Sequence, residues 1–159
     1  MGDIRSNLMY RAPTIVPIHE NLTTSGLPES EDFARMAQEG YAIVIAVRHP
    51  EDEMQLPNEA ELVAEAGMSY LCIPMRSQAL SLEGYEMLRD ALRTWYDRKI
   101  WLHCTQNRRV ATLMYVFNII ERSLPIAEAK QLLHAVWEPD APRQAFIDEA
   151  LEKYAWQYL

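Results

Sequence analysis

Apolar and polar positions follow one another along the chain in a pattern that predicts alternating strands and helices. The run YAIVIAV at residues 41–47 is continuously apolar, which is typical of a strand covered on both faces. SYLCI at residues 69–73 and IWLH at residues 100–103 predict further strands. Residues 22–24 predict a short strand at a sheet edge, before a turn at residues 25–28. We therefore expect a central sheet of about four to five strands.

Helices are predicted between and after these strands. Gly40 and Gly67 follow two of the helical runs and are typical stops. The predicted helices cover residues from about 30 to 39, 57–66, 82–98, from the loop after residue 103 to about 122, 125–137 and 142–156. Strands that alternate with helices predict right-handed crossovers, so the fold class is α/β with a mostly parallel sheet flanked by helices.

Length and composition indicate one globular domain. The chain has 159 residues, 49% of them hydrophobic and 24% charged, which is enough for a well-buried core. Residues 1–20 carry Pro13 and Pro17 and are predicted to form an N-terminal arm, with residues 21–159 as the single domain. No repeat or long linker divides the chain.

The charge pattern excludes several classes of partner. A net charge of −8 argues against nucleic-acid binding, and any anion site has to rely on a local positive field.

No apolar run reaches the ~20 residues that a membrane span needs, and MGDIRSNLMYRAP resembles neither a signal peptide nor an anchor. We therefore expect a cytoplasmic protein. The two cysteines and four histidines show no metal-binding spacing, so no metal or other cofactor is expected.

The stretch WLHCTQNRRVATLMY at residues 101–115 places a cysteine between a predicted strand and a predicted helix. Ligands of such sheets bind where strand-to-helix loops gather. Backbone N–H groups of residues 105–109 can converge on one point at the positive end of the helix. Because Arg108 and Arg109 lie close to Cys104 in the sequence, we expect their positive charges to lower the pKa of its thiol. The stretch therefore predicts an anion site that carries a nucleophile.

The same residues also have a simpler interpretation. Cysteine is often an ordinary small core residue, and Arg108 and Arg109 could be the solvated start of a helix. A core cysteine, however, requires neither a strand end nor neighbouring arginines. The order of strand, His-Cys, polar loop, arginine and apolar helix favours the anion site.

At this point the stretch resembles the cysteine-dependent protein tyrosine phosphatase superfamily, whose signature is His-Cys, five residues, Arg, then Ser or Thr. It is more similar to a bacterial subgroup of compact phosphatase-like proteins with a shortened His-Cys-x4-Arg loop. TSGLPESEDFARMAQEGY, LPNEAELVAEAGMSYLCIP and WEPDAPRQAFIDEAL resemble the same subgroup. The resemblance covers roughly residues 20–155 and implies a compact dual-specificity-phosphatase-like fold.

The resemblance also implies roles for individual residues. Cys104 matches the nucleophile, and Arg109, five positions later, matches the phosphate-binding arginine. His103 matches the residue that helps to hold the cysteine and its loop. The loop N–H groups would form the cradle. The substrate-binding positions are then His103, Thr105, Gln106, Asn107, Arg108 and Val110.

The chain departs from the superfamily pattern in three ways. The loop is one residue short, so Val110 stands where the wider superfamily has its arginine. Val110 and Ala111 follow Arg109 where a hydroxyl is expected, and Thr112 lies further on. The loop PMRSQALS lacks the carboxylate that would act as general acid, a loss of about 10²–10⁴ in rate.

Two acidic segments could supply a substitute acid. Asp52, between Glu51 and Glu53, follows the strand YAIVIAV and could fold over the site, although a solvated acidic loop is the ordinary interpretation. Asp140 in WEPD is better interpreted as the cap of the last helix. Arg76, on the loop PMRSQALS, could add a second cation to the site or point to solvent.

Three functional hypotheses remain open. The leading one is an enzyme, a phosphatase that hydrolyses protein tyrosine phosphates or small aryl phosphates through a thiophosphate on Cys104. The second is a rhodanese-like sulfurtransferase with a Cys104 persulfide. The third is a non-catalytic phosphate-binding module. In each case the expected ligand is a phosphate- or sulfate-type anion or a phosphorylated substrate, with no nucleic acid and no membrane, and the oligomeric state is left open.

Overall fold

A mostly parallel, five-stranded sheet forms the centre of the fold in the computed structural model, which describes residues 9–155. The strands are β1 (Val16–His19), β2 (Leu22–Ser25), β3 (Ile43–Arg48), β4 (Ser69–Pro74) and β5 (Ile100–His103). The helices are α1 (Asp32–Gln38), α2 (Glu59–Glu65), α3 (Leu82–Thr94), α4 (Arg108–Ile120), α5 (Ile126–His134) and α6 (Ala141–Ala155). The predicted α/β class is confirmed.

The strand order is β1-β2-β5-β3-β4, so β5 occupies the middle of the sheet. β5 runs parallel to β2 on one side and to β3 on the other, and β3 runs parallel to β4. Ser25 and Ala46 are the register partners of His103 on the two sides. The loop that carries the cysteine therefore leaves the centre of the sheet at the carboxyl ends of three parallel strands.

The prediction that residues 22–24 form an edge strand is wrong. β1 pairs antiparallel with the outer side of β2, with Val16 opposite Thr24. Pro17 is tolerated because an edge strand leaves one row of backbone groups unpaired. β1 comes from the predicted N-terminal arm, in which Tyr10 and Ala12 are also buried. The division into arm and domain stays a prediction.

Apolar side chains fill the space on both faces of the sheet. On β3, Ile43 and Ile45 pack into the cluster beneath α3, α4, α5 and α6, whereas Val44 packs with α1 and α2 on the opposite face. On β5, Leu102 and Trp101 divide in the same way. The continuous apolar run in β3 thus follows from burial on both faces, as predicted.

Several helix ends confirm or adjust the sequence-based limits. Gly40 and Gly67 adopt φ of 93° and 88°, a left-handed conformation that glycine adopts without a Cβ clash. Helix α3 ends at Thr94, not near residue 98, because the chain turns there, with the Arg98 N–H bonded to the Trp95 carbonyl. Trp156, at the end of the last predicted helix, lies outside the described residues. Within residues 9–155 no helix is both long and apolar enough to cross a membrane.

Candidate active site

Cys104 lies at the base of a cleft, directly after the central strand. It is 2% exposed, and its backbone N–H donates to the Ser25 carbonyl of β2 over 3.3 Å. Helix α4 begins at Arg108, so only three residues separate the cysteine from the helix. The strand and the helix therefore fix the position of the thiol from both sides.

Backbone N–H groups face the thiol, as expected for an anion cradle. The donors are the amides of Gln106, Arg109 and Val110, at the loop and the first turn of α4. Asn107 allows the loop to turn because it adopts a left-handed φ of 63°, a region in which asparagine is enriched. The free donors of a helix N-terminus thus converge on the sulfur.

The side chain of Asn107 anchors the loop to the sheet. Its Nδ2 donates to the Thr14 carbonyl over 2.9 Å and to Thr24 Oγ1 over 3.1 Å. Asn107 is fully buried. Its side chain therefore holds the cradle in place from behind, and it does not reach into the cleft.

The expected lowering of the Cys104 pKa is wrong in direction. Burial raises the pKa of this thiol, while the Arg109 guanidinium and the N–H groups of Val110, Arg109 and Gln106 lower it. Burial outweighs them because removing a thiolate from water is costly. The sequence showed the cation and the amides, but it could not show how completely α4 and the sheet cover the sulfur.

Arg109 is buried and connects three parts of the site. Its Nη1 donates to the Met75 carbonyl over 2.9 Å. Its Nη2 donates to Thr105 Oγ1 over 2.8 Å and to Asp52 Oδ2 over 3.1 Å. Both hydrogens of Nη2 are therefore engaged by protein oxygens, and an anion that uses this nitrogen has to replace one of them.

Asp52 belongs to an ordered loop after β3. Its Oδ2 also accepts a hydrogen bond from the His49 backbone N–H, at 3.0 Å. Gln55 Nε2 donates to the carbonyls of Pro50 and Asp52, at 2.7 Å and 2.9 Å. The structure thus brings the sequence-predicted candidate acid into contact with Arg109 and into the same cleft as Cys104.

The cleft above Cys104 has a volume of about 670 Å³ and a polar lining. Arg76 pairs with Glu51 at 3.5 Å, and Arg143 pairs with Asp140 at 2.8 Å. Asp140 also caps α6, because its Oδ1 accepts from the Arg143 N–H at 3.2 Å, so the predicted cap is confirmed. Each of these two cleft arginines is matched by a carboxylate of the same cleft.

The first turn of α4 faces an aromatic side chain. The guanidinium of Arg108 lies 5.3 Å from the ring centroid of Trp137, which is cation–π distance. Trp137 Nε1 donates to Thr112 Oγ1 at 3.3 Å, and that hydroxyl donates to the Arg108 carbonyl at 2.8 Å. Thr112 therefore serves the packing of Trp137 and does not replace the hydroxyl missing after Arg109.

His103 is buried beneath the cradle, where it contacts a glutamate. Its Nε2 contacts Glu59 Oε2, and its Nδ1 lies 3.3 Å from the Cys104 carbonyl oxygen. The sequence pattern did not point to Glu59, because an acid in the first turn of a helix is ordinarily solvated. The hydroxyl of Thr105 beside Arg109 was also missed, since only its amide was expected to take part.

The second cysteine is separate from the site. Cys72 lies exposed on β4, and β3 stands between it and β5. Ala46 of β3 is the register partner of both Cys72 and His103. Both cysteines are free thiols, and they are not paired with each other.

A family model and a curated relative point to the same family. The family model described as "Beta-lactamase hydrolase-like protein, phosphatase-like domain" matches residues 15–118. A beta-lactamase hydrolase-like protein of Xylella fastidiosa (strain Temecula1) is 28% identical over 124 residues, which are 76% of this chain and 28% of that protein. The chain thus spans little more than a quarter of the length of this curated relative.

Solved structures share the fold over nearly the whole chain. A DUF442 protein from Shewanella putrefaciens CN-32 matches with a TM-score of 0.80 and 26% identity, covering 96% of this chain and 99% of that one. A cysteine-to-serine variant of TpbA from P. aeruginosa, in complex with pTyr, matches with a TM-score of 0.68 and 13% identity, over 89% and 90% of the two chains. The predicted phosphatase-like fold is therefore confirmed.

Proposed function

Because the chain belongs to the phosphatase-like domain family of the beta-lactamase hydrolase-like proteins, a bacterial family with the protein tyrosine phosphatase fold, we propose that Cys104 is the nucleophile of a phosphomonoester phosphatase. The Cys104 thiol supports this proposal most directly, because it faces the amides of Gln106, Arg109 and Val110 at the bottom of an open cleft. Those donors suit the oxygens of a phosphoryl group as well as they suit a thiolate.

The proposed reaction has two steps. In the first, the Cys104 thiol releases its proton to solvent, its sulfur forms a bond to phosphorus, and the bond from phosphorus to the leaving oxygen breaks as that oxygen takes a proton from a carboxyl group that solvent has protonated. In the second, water attacks phosphorus and loses a proton, the sulfur–phosphorus bond breaks, inorganic phosphate leaves, and the Cys104 thiolate takes a proton from solvent to regenerate the thiol. The Arg109 guanidinium and the cradle amides stabilise the charge that develops on the phosphoryl oxygens in both steps.

Asp52 is the proposed proton donor to the leaving oxygen. Its carboxyl group lies in the cleft and contacts Nη2 of Arg109. A phosphoryl oxygen that binds Nη2 displaces this carboxyl group, which is then free to face the leaving group above the cradle. The same carboxyl group activates the water of the second step by taking a proton.

The substrate class proposed is a phosphorylated tyrosine or another aryl phosphate. TpbA, which shares the fold, was solved with pTyr, and the cleft is large enough at about 670 Å³ for an aromatic ester. Aryl oxygens also leave readily, which suits a site whose proton donor has to be released from an arginine first. Residence in the cytoplasm stays a prediction from the sequence.

Hydrolysis of p-nitrophenyl phosphate tests the proposal. We expect turnover by the wild type, no turnover by Cys104→Ser, and wild-type turnover by the matched variant Cys72→Ser, because Cys72 is exposed and lies outside the cleft. Equal rates of turnover by the wild type and Cys104→Ser would exclude Cys104 as the nucleophile. Anion binding without any turnover would favour the phosphate-binding module.

A further inference from the structure

Glu59 is buried where a glutamate is normally solvated. It is the first residue of α2 and is 0% exposed, whereas Glu61 and Glu65 of the same helix are exposed. A carboxylate is removed from water at a large cost unless charged or hydrogen-bonding partners replace the water. The partners that Glu59 has found therefore indicate what it does.

Those partners come from three neighbouring strands. Oε2 contacts His103 Nε2 of β5. Oε1 accepts a hydrogen bond from the Tyr70 hydroxyl of β4 at 3.2 Å and lies 3.5 Å from Arg48 Nη1 of β3. The carboxylate is thus held on both oxygens, and one of these oxygens contacts the histidine beside Cys104.

A carboxylate can only accept hydrogen bonds, so this contact requires a hydrogen on Nε2 of His103. Carboxylates fix the ring orientation of histidines in this way at metal sites. The other ring nitrogen, Nδ1, lies 3.3 Å from the Cys104 carbonyl oxygen, which also only accepts, so a hydrogen bond there requires a hydrogen on Nδ1 as well. The Cys104 backbone N–H donates a hydrogen bond to the Ser25 carbonyl of β2. The N–H of the cysteine is therefore held by β2, and its carbonyl is held by the His103 ring.

We propose that Glu59 is a positioning residue, which holds the His103 ring and through it keeps the Cys104 sulfur aligned with the cradle amides. This inference rests on the proposed function. A small cavity of about 10 Å³ supports it, because Glu59, His103 and Cys104 share its wall. Without the carboxylate, the ring loses its partner next to space into which it can shift.

The pH dependence of the thiol separates positioning from charge alone. The charged and titratable groups around Glu59 and Cys104 are Arg48, Asp52, Tyr70, Cys72, His103 and Arg109. Removing only the negative charge of Glu59 favours a thiolate and lowers the pKa of Cys104. A misaligned sulfur no longer accepts hydrogen bonds from the cradle amides. Because these hydrogen bonds lower the pKa of Cys104, their loss raises that pKa. The two explanations predict opposite shifts.

Alkylation of Cys104 by iodoacetamide measures that shift. In a Cys72→Ser background Cys104 is the only cysteine. Glu59→Leu removes both the charge and the acceptor for His103 Nε2, and we expect it to move the alkylation midpoint to higher pH and to lower kcat for p-nitrophenyl phosphate about tenfold or more, with little change in KM. A midpoint that stays or moves to lower pH overturns the inference.

Asp32→Asn is the matched control. Asp32 is also a buried carboxylate at a helix start, and it accepts from the backbone N–H groups of Arg11 and Glu29 at 2.7 Å and 2.9 Å. Its loss destabilises the fold without touching the cradle, so the midpoint and kcat should stay at wild-type values. An equal change in Asp32→Asn and Glu59→Leu would mean that Glu59 contributes only to the stability of the fold.

The imidazole spectrum of His103 in the wild type decides the question even if Glu59→Leu does not fold. We expect the imidazole ¹⁵N spectrum to show a hydrogen on His103 Nε2, and an unprotonated Nε2 overturns the inference. If the wild type hydrolyses no phosphomonoester, the proposed function fails, whereas the alkylation midpoints and the ring spectrum still decide the role of Glu59.

Discussion

At the scale of single residues, the site is a balance between groups that favour and groups that oppose a charged sulfur. Arg109 and three backbone amides favour the thiolate of Cys104, and burial opposes it more strongly. Arg109 is in turn shared with Asp52 and Thr105. Both Cys104, the proposed nucleophile, and Arg109 are therefore held in a resting arrangement that a bound anion has to change.

The raised pKa of Cys104 predicts how activity depends on pH. Below its pKa the thiol is protonated and unreactive. Because this pKa is raised above the ordinary thiol value of about 8.5, kcat/KM should still be increasing as pH rises from about 6 to about 9. The measurement is a pH–rate profile of kcat/KM with p-nitrophenyl phosphate, a substrate whose leaving group needs little protonation. A profile that is flat or falls over this interval would contradict the direction of the shift.

Asp52→Asn should strengthen anion binding and weaken catalysis. The variant removes a carboxylate that competes for Nη2 of Arg109, so the Kd of inorganic phosphate should fall about fivefold, or ~1 kcal/mol. Isothermal titration calorimetry measures this Kd. Turnover of an alkyl phosphate, which needs a proton donor, should fall about 10²-fold or more.

Glu53→Gln is the control for long-range charge. Glu53 is an exposed neighbour of Asp52 on the same loop and lines the same cleft. Its substitution should change phosphate affinity much less than Asp52→Asn does. Similar gains in both variants would mean that general repulsion, and not the contact with Arg109, limits anion binding.

At the scale of elements, the loop between β5 and α4 depends on segments far away in sequence. Asn107 joins it to Thr14 and to Thr24 of β2, and Leu27 donates its N–H to the Thr105 carbonyl at 2.9 Å. A four-residue loop that contains one left-handed residue would otherwise be free to relax. The fold thus commits several backbone and side-chain bonds to one short segment.

Substitutions of Asn107 separate its two contributions. Asn107→Ala should lose about 2–4 kcal/mol of unfolding free energy, because it removes two hydrogen bonds and places an ordinary residue at φ of 63°. Asn107→Gly removes the same bonds but tolerates the backbone, so it should lose less. Urea unfolding measures both. Equal losses would show that the left-handed conformation has little energetic weight.

The strands and helices were largely predictable because their apolar patterns are strong. Residues 100–103 were predicted as a strand and form β5, and Gly40 ends its helix as expected. The position of β2 was not predictable, since nothing local shows that Val16–His19 pairs on its outer side. Strand pairing depends on contacts distant in sequence, which periodicity does not contain.

At the scale of the whole molecule, several residues that line the cleft were predictable, but the electrostatics of the cleft were not. The sequence places Cys104 and Arg109 five positions apart, and the resemblance implies their roles. The contact of Asp52 with Arg109 and the burial of Glu59 arise only when the carboxyl ends of β3, β4 and β5 meet. Residues from three segments then decide how reactive one thiol is.

The curated relative adds a further point at this scale. This chain covers 28% of the length of the Xylella fastidiosa protein. The site described here is nevertheless built within residues 9–155, because its cysteine, arginine, candidate acid and cradle all lie in this fold. The activity proposed is therefore the activity of this domain.

The most direct test is the mass of the protein after rapid acid quenching during turnover of p-nitrophenyl phosphate. We expect a fraction of the wild-type chain to gain the mass of one phosphoryl group, located on Cys104 by peptide mapping and absent from Cys104→Ser. A turning-over enzyme that shows no phosphoryl group on Cys104, or a cysteine that gains one sulfur atom from thiosulfate without any phosphatase activity, would contradict a thiophosphate mechanism.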